Sequence, residues 1–183
     1  MYKLRDHFGI SGRLLLYLLS FLSGRQARIT VNDLIGDWIE SEWGTSAGTI
    51  LGSLLFLGYV QDTPPGICPK FADDLASHGV GKDVSAVQGI LQKSLDDLNI
   101  WSEKWDMTLN VSKTKCMLFG KIQGKLSLMI RNQQIEQVDC FKYLGVWLDT
   151  HMKFMQQAEY AASKASKAAC KVNRLIDGRE DRY

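Results

Sequence analysis

Cysteine is sparse in this sequence and shows no pairing pattern. The cysteines, at positions 68, 116, 140 and 170, are dispersed without a Cys-x-x-Cys spacing, and only three histidines accompany them. Structural zinc sites use closely spaced cysteine and histidine pairs, and disulfide-stapled secreted domains are denser in cysteine. We therefore expect free thiols, no zinc site and an intracellular location, in the cytoplasm or the nucleus.

Strong net charge and long apolar runs are also absent. A formal net charge of +2 provides no global electrostatic reason to expect nucleic acid, although local clusters still matter. The apolar runs at residues 14–22 and 50–60 fall short of the roughly 20 residues that cross a bilayer. Ser11 and Gly24 flank the first run as helix-capping residues, which favours a helix over a signal peptide. We expect both runs to form largely buried helices and no membrane association.

Apolar residues recur with two different periods along the chain, which predicts an α+β fold. The 183 residues are 45% hydrophobic, enough for one domain with a sizeable core. From Val84 to Trp105 the apolar residues step by three or four, with Ser85 and Gln88 as a capping box. Short strands are predicted at residues 116–119, 126–131, 135–138 and 141–148. Together they predict an antiparallel sheet backed by helices.

The last segment, residues 152–176, is rich in alanine and is predicted to be a helix with two distinct faces. Small residues that allow close packing share one stripe: Ala158, Ala162, Ala165, Ala169 and Val172. Basic residues recur at spacings of three and four on another: Lys164, Lys167, Lys171 and Arg174. The basic face suits a phosphate backbone, and a solvated charged face is the alternative.

Two neighbouring acids, Asp73 and Asp74, lie between an apolar approach and the glycines at positions 79 and 81. Divalent magnesium prefers hard oxygen ligands, which adjacent carboxylates at a hairpin tip provide. Neighbouring strand residues point to opposite faces, so we expect Asp73 to face a metal directly and Asp74 to support it. A solvated turn is the alternative interpretation of such a pair.

A series of segments, taken in order, resembles one family along most of the chain. The segments are Gly9-Ile10-Ser11-Gly12, Gly44-Thr45-Ser46-Ala47-Gly48, Phe71-Ala72-Asp73-Asp74, Trp101 with Trp105, Leu109-Asn110 with Lys113-Thr114, and Phe141-Lys142-Tyr143-Leu144-Gly145. From Ser11 to about Leu175 the chain is similar to the reverse transcriptase domain of non-long-terminal-repeat, LINE-like retrotransposons. The match is collinear, which carries more weight than any single motif.

This resemblance implies an RNA-directed DNA polymerase that uses Mg²⁺, an RNA template, a DNA primer and deoxynucleoside triphosphates. In two-metal nucleotidyl transfer, Asp73 would bind the metal with Asp74, and Lys113 would protonate or neutralise the departing pyrophosphate. The residues near nucleotide and template would be Gly44, Ser46, Ala47, Gly48, Phe71 and Ala72. The primer end would be placed by Phe141, Tyr143, Leu144 and Gly145. The basic face of the last helix would follow the nucleic-acid backbone.

Two departures from the family's pattern limit what the resemblance implies. Ser46 and Ala47 stand where the family has Pro and Gln, and the family's earlier Asp-bearing strand is not seen upstream of Ser11. We therefore expect residues 1–150 to form a partial palm without the first catalytic strand, and residues 151–183 to begin a thumb-like helix with a charged tail. Such a chain would be inactive in isolation. The alternative is a non-catalytic, palm-like remnant that binds nucleic acid or a protein partner, and no pattern indicates an oligomeric state.

Overall fold

A computed structural model describes residues 2–41, 44–46, 48–122 and 124–180 of the chain. The chain divides into two compact units. The first unit comprises Met1–Thr63 and Pro69–Ala76, and the second comprises Pro64–Cys68 and Ser77–Tyr183. The predicted division into a palm part and a thumb part at residue 150 follows the family resemblance and stays a prediction.

The first unit contains two apolar helices and two small strand pairs. A short π-helix, Lys3–His7, precedes α1, Gly12–Leu22, and α2 is Ile50–Val60. Between the helices, β1 (Gln26–Ala27) pairs antiparallel with β4 (Ile39–Glu40), and β2 (Thr30–Val31) pairs antiparallel with β3 (Leu34–Ile35). The turn between β2 and β3 consists of Asn32 and Asp33, at φ 47° and 66°. Asn and Asp tolerate this left-handed conformation, which a tight two-residue turn requires.

Both apolar runs are helical as predicted, but the prediction that they are largely buried is wrong for the described residues. In α1 only Leu18 is buried, whereas Leu14 is 55% exposed. In α2 the buried residues are Gly52 and Val60, and Leu54 is 59% exposed. Helical periodicity identifies the apolar side chains that another element could bury. Here no described element packs over most of them. None of the helices in the described ranges has the length and apolar character needed to cross a bilayer.

The second unit is built on the long helix α3, Val84–Lys104. The predicted capping box of Ser85 and Gln88 is wrong, because the helix begins two residues earlier than that motif requires. Asp83 is the N-cap, and its carboxylate accepts a hydrogen bond from the backbone N–H of Ala86 at 2.8 Å. Of the tryptophans, Trp101 is buried and Trp105 is half-buried, as expected for core residues rather than base-stacking platforms.

The core of the second unit lies between α3 and the extended segment at residues 126–130. Leu126, Leu128 and Ile130 are buried, whereas the intervening Ser127 and Met129 are exposed. This alternation is the period of a strand with one covered face. The buried side chains cluster with Val87, Leu95, Cys116 and Ile135. Desolvation at this position raises the pKa of the Cys116 thiol.

Glutamine side chains, rather than a neighbouring strand, pair with much of this segment's backbone. Gln88 accepts a hydrogen bond from the N–H of Ser127 at 2.8 Å. Gln92 accepts from the N–H of Met129 at 2.9 Å and donates to its carbonyl at 2.9 Å. Gln137 accepts from the N–H of Leu126 at 2.7 Å. The segment is therefore held to the helix through its polar backbone as well as through its leucines.

The remaining strands form short pairs. β5 (Ile67–Phe71) pairs with β6 (Asp74–Ser77), β7 (Lys115–Cys116) pairs parallel with β10 (Glu136–Gln137), β8 (Met129–Ile130) pairs with β9 (Gln133–Gln134), β11 (Cys140–Tyr143) pairs with β12 (Val146–Asp149), and α4 is Met155–Glu180. The described residues thus form a mixed helix and strand fold with small sheets, mostly antiparallel. They do not form the single antiparallel sheet that was predicted, because side chains and turns satisfy backbone groups that a wider ladder would use.

We predict that Gln92→Ala weakens the attachment of residues 126–130 to α3. The substitution removes both hydrogen bonds to Met129, and each such bond contributes about 1 kcal/mol. The Met129 amide should exchange faster with solvent and the free energy of unfolding should fall, as measured by NMR hydrogen exchange and urea denaturation.

Gln134→Ala is the matched control for this prediction. Gln134 in β9 lies opposite Met129 in the strand register, and the described part of the chain gives its side chain no hydrogen bond. Equal protection of the Met129 amide in both variants would show that the glutamine contacts do not hold the segment.

Candidate metal and nucleic-acid sites

The predicted metal ligands lie at the tip of the β5–β6 hairpin. Ala72 and Asp73 form its two-residue turn, with Ala72 at φ 51°, and Asp74 opens β6. Both carboxylates are exposed, and Phe71, the last residue of β5, is 63% exposed. Asp73 is therefore a turn residue rather than a strand residue. The tip presents two hard oxygen donors to solvent, the donor type that magnesium prefers.

No third ligand joins these carboxylates among the residues that the structure describes. That part of the chain contains no group of three or more His, Cys, Asp or Glu side chains arranged to hold a metal ion. Lys113, the other predicted catalytic residue, belongs to the second unit, whereas the hairpin tip belongs to the first. Lys113 is exposed, and its backbone N–H donates to the side-chain oxygen of Asn110 at 3.1 Å. The donor chemistry suits magnesium, but the described residues do not complete a site.

The Gly-rich loop that precedes α2 is organised by Thr49, which no sequence motif marks. Its hydroxyl donates to the Ser46 carbonyl at 2.9 Å and accepts from the backbone N–H of Gly52 at 3.1 Å. Gly44 and Gly48 take φ values of 79° and 77°. Ala47, predicted to contact nucleotide or template, lies outside the described residues. The N-cap threonine thus ties the loop to the first turn of the helix.

Gly52 is a second residue whose role the sequence pattern does not predict. A Cβ atom there would lie 2.6 Å from the Ser46 carbonyl oxygen and 2.6 Å from the Thr49 hydroxyl. A separation this short from backbone forces a neighbour to move. Thr45 and Ser46 therefore lie so close to the first turn of α2 that a side chain at position 52 would collide with the loop.

The predicted primer-end residues lie on the β11–β12 hairpin. Phe141 and Tyr143 are half-buried in β11. Leu144 and Gly145 form its exposed two-residue turn, with φ values of 48° and 85°. Since β11 and β12 pair from Cys140 with Asp149 to Tyr143 with Val146, the hairpin presents this turn at a fixed position.

The same hairpin is joined to the start of α4 by side-chain hydrogen bonds from both strands. From β11, Lys142 donates to the Tyr160 hydroxyl at 2.8 Å, and the Cys140 thiol donates to Gln156 at 2.7 Å. From β12, the backbone N–H of Trp147 donates to Gln157 at 2.9 Å. These hydrogen bonds therefore hold the β11–β12 hairpin against the first turns of α4.

Asp149 holds the connection between β12 and α4. Its carboxylate accepts backbone N–H groups from His151 at 3.1 Å, Lys153 at 3.0 Å and Phe154 at 2.6 Å. The hydrogen bond from Lys153, followed by the bonds from Phe154 and His151, lowers the pKa of the Asp149 carboxyl. Hydrogen bonds to the charged form favour that form, so the ionised carboxylate fixes where the helix begins.

The basic face of α4 is exposed along its described length. Lys164, Lys167, Lys171 and Arg174 are exposed, and none of them has a carboxylate partner within the described residues. At 3.6 residues per turn they occupy an arc of about 80° on the helix. The alanine stripe is also exposed, so the predicted close packing is not found among the described residues.

Comparison with known proteins identifies relatives of this chain. Over 154 residues it is 25% identical to the RNA-directed DNA polymerase from mobile element jockey of Drosophila melanogaster, which covers 78% of this chain and 17% of the relative. The corresponding jockey protein of Drosophila funebris is 24% identical over 182 residues, covering 93% of this chain and 20% of the relative. The chain is similar to the RNA-directed DNA polymerases of non-long-terminal-repeat retrotransposons. The resemblance drawn from its sequence is confirmed.

The other comparisons show how much of the length of such proteins this chain spans. The Nasonia vitripennis Retrovirus-related Pol polyprotein from type-1 retrotransposable element R1 2 is 27% identical over 143 residues, which is 73% of this chain and 35% of the relative. The chain thus spans between 17% and 35% of the length of these three relatives. No family model and no solved structure matches it.

We predict that Gly52→Ala destabilises the Gly-rich loop that precedes α2. The added methyl group overpacks the contact with Ser46 and Thr49, and overpacking typically costs about 1–3 kcal/mol. Urea denaturation should show the loss, and proteolysis within residues 44–49 should become faster.

Gly89→Ala is the matched control, because a Cβ atom at Gly89 within α3 meets nothing within 4 Å. Replacing this helical glycine with alanine should stabilise the protein by roughly 0.5–1 kcal/mol. If the two substitutions change stability equally, the close approach at Gly52 is not a constraint on the loop.

Proposed function

We propose that this chain is a part of an RNA-directed DNA polymerase that carries an acidic catalytic turn and a nucleic-acid-binding helix. The observation that supports this most strongly is the exposed Ala72–Asp73 turn followed by Asp74, in a chain related to retrotransposon polymerases. The proposed substrates are an RNA template, a DNA primer and deoxynucleoside triphosphates. The palm and thumb assignments of the two parts belong to the same proposal.

The acidic turn supplies part of a magnesium site. Bound Mg²⁺ would neutralise charge on the transferring phosphates in two-metal nucleotidyl transfer. Asp73 and Asp74 are adjacent, so their carboxylates do not surround an ion by themselves, and two close metal ions need converging ligands. A further carboxylate would have to come from residues beyond those described. The exposure of the turn leaves both side chains open to such a partner.

The basic face of α4 supplies the affinity for nucleic acid. Four cations on one arc, without carboxylate partners in the described part of the chain, match a linear array of phosphates. Each phosphate contact releases condensed counterions, which makes binding steeply dependent on salt. The hydrogen bonds between the β11–β12 hairpin and α4 set the orientation of this face relative to the hairpin.

A second candidate function is a non-catalytic, palm-like protein that binds nucleic acid or a protein partner. The lack of a three-ligand cluster among the described residues favours this alternative. In this alternative α4 still forms the binding surface, whereas Asp73 does not bind a metal ion. The two functions therefore differ in whether the acidic turn binds a metal ion.

We predict that changing Lys164, Lys167, Lys171 and Arg174 together to Gln removes most of the affinity for an RNA template annealed to a DNA primer. Fluorescence anisotropy across a series of salt concentrations measures both the affinity and its salt dependence. The slope of log affinity against log salt should decrease by roughly 0.9 for each phosphate that the variant no longer binds.

The control for this experiment removes the same charge from other exposed positions of the second unit. The substituted residues are Lys82, Lys93, Lys121 and Lys125, each changed to Gln. If both variants bind equally well, the basic face of α4 is a solvated face and does not contact nucleic acid.

We predict that manganese, a paramagnetic substitute for magnesium, binds at the acidic turn when the duplex is present. The amides of residues 72–75 should broaden in NMR spectra at low Mn²⁺ concentration, and Asp73→Asn should abolish the effect. The turn of Asn32 and Asp33 is an internal control, since it exposes a single carboxylate at another two-residue turn. Equal broadening at both turns would contradict the metal-binding role and support the non-catalytic alternative.

A further inference from the structure

Two lysines from different elements converge on one tyrosine at the junction of the β11–β12 hairpin with α4. The Lys142 ammonium lies 3.9 Å from the centre of the Tyr160 ring and donates to its hydroxyl at 2.8 Å. The Lys164 ammonium lies 5.0 Å from the centre of the same ring. Lys142 comes from β11, and Lys164 is one helical turn beyond Tyr160.

Neither ammonium has a carboxylate partner in the described part of the chain. Two like charges near one half-buried ring repel each other, and the phenol compensates for this only in part. The hydrogen bond from Lys142, followed by the contribution of Lys164, lowers the pKa of Tyr160. An anion that accepted hydrogen bonds from both ammonium groups would relieve the repulsion.

Tyr160 also lies on the basic face of α4. At 3.6 residues per turn, Tyr160 falls within the same arc of about 80° as Lys164, Lys167, Lys171 and Arg174. Lys142 therefore places a fifth cation at the hairpin end of this row. The contacts of Gln156 and Gln157 with the hairpin hold that end in place.

We propose that Lys142 and Lys164, which both lie against Tyr160, bind a phosphodiester of the nucleic-acid backbone at the hairpin end of the basic face. This inference rests on the proposed function of α4 and adds a residue of the hairpin to the binding surface. Phosphate is the ligand because it is an anion whose several acceptor oxygens can take hydrogen bonds from two neighbouring ammonium groups. The backbone is its source because the site continues a row of cations rather than standing alone.

Salt-dependent anisotropy with the same RNA and DNA duplex tests the role of Lys142. Lys142→Gln should weaken binding and reduce the salt slope by roughly 0.9, the contribution of one phosphate contact. Lys142→Arg keeps the charge and should retain the slope. Lys125→Gln removes one exposed charge elsewhere in the second unit and should change the slope little.

A second measurement follows Tyr160 in the unaltered chain. With ¹³C-labelled tyrosine, the Tyr160 ring resonance, assigned by its loss in Tyr160→Phe, should shift when the duplex is added. Inorganic phosphate or a deoxynucleoside triphosphate at the same phosphate concentration should shift it less. A shift of equal size and affinity with the triphosphate would overturn the backbone assignment in favour of a free phosphate ligand.

The outcomes separate this inference from the proposed function. If the quadruple α4 variant loses binding but Lys142→Gln behaves like Lys125→Gln and the Tyr160 resonance does not move, only the inference is wrong. If the unaltered chain does not bind the duplex at all, both are wrong. A reduced slope for Lys142→Gln together with a duplex-dependent Tyr160 shift supports the site.

Discussion

The second unit depends on a match in length between a helix and an extended segment. Gln88 and Gln92 are four residues apart on α3, a rise of about 6 Å. Their partners, Ser127 and Met129, are two residues apart in an extended chain, a rise of about 6.6 Å. Because these distances nearly agree, one helix face can hydrogen-bond alternate backbone groups while Leu126, Leu128 and Ile130 pack beneath. The docked segment then brings Ile135 against the same core, where its N–H donates to the Leu128 carbonyl at 2.8 Å.

A different kind of contact orients the proposed nucleic-acid surface. The β11–β12 hairpin and the first turns of α4 are joined by hydrogen bonds from Lys142, Cys140 and Trp147. Asp149 closes the connection by gathering backbone N–H groups. Polar bonds of this kind fix an angle and a register at little gain in net stability. They suit a surface that has to present charges in a set order.

Local patterns in the sequence predicted the helices and the hairpin tip at Asp73 and Asp74. The periodicity from Val84 to Trp105 located α3, and the leucines at residues 14–22 located α1, because helical spacing is a property of the chain itself. Burial was harder to predict, since Leu54 and the alanines of α4 are apolar whether or not another element covers them. The N-cap at Asp83, the tight contact at Gly52 and the pairing of Gln88 with Ser127 depend on three-dimensional neighbours. No periodicity encodes those neighbours.

In the candidate site, too, some residues could be predicted from the sequence and others depend on three-dimensional neighbours. Motif resemblance located Asp73, Asp74 and the β11–β12 hairpin, whereas the role of Lys142 emerges only when β11 is placed beside α4. One signal for it was present in the sequence, because Tyr160 precedes Lys164 by four residues and so shares its helical face.

The exposure of α4 beyond its junction has an energetic consequence. From residue 161 to residue 174 every side chain is exposed, so packing within the described chain contributes almost nothing to keeping this stretch helical. Isolated helices of such length are marginal in water even when rich in alanine. Neutralising the row of like charges by phosphate would remove the repulsion that opposes the helix. Part of the free energy of the proposed association would then offset the cost of ordering the helix, which would lower the affinity and make helix content a reporter of the bound state.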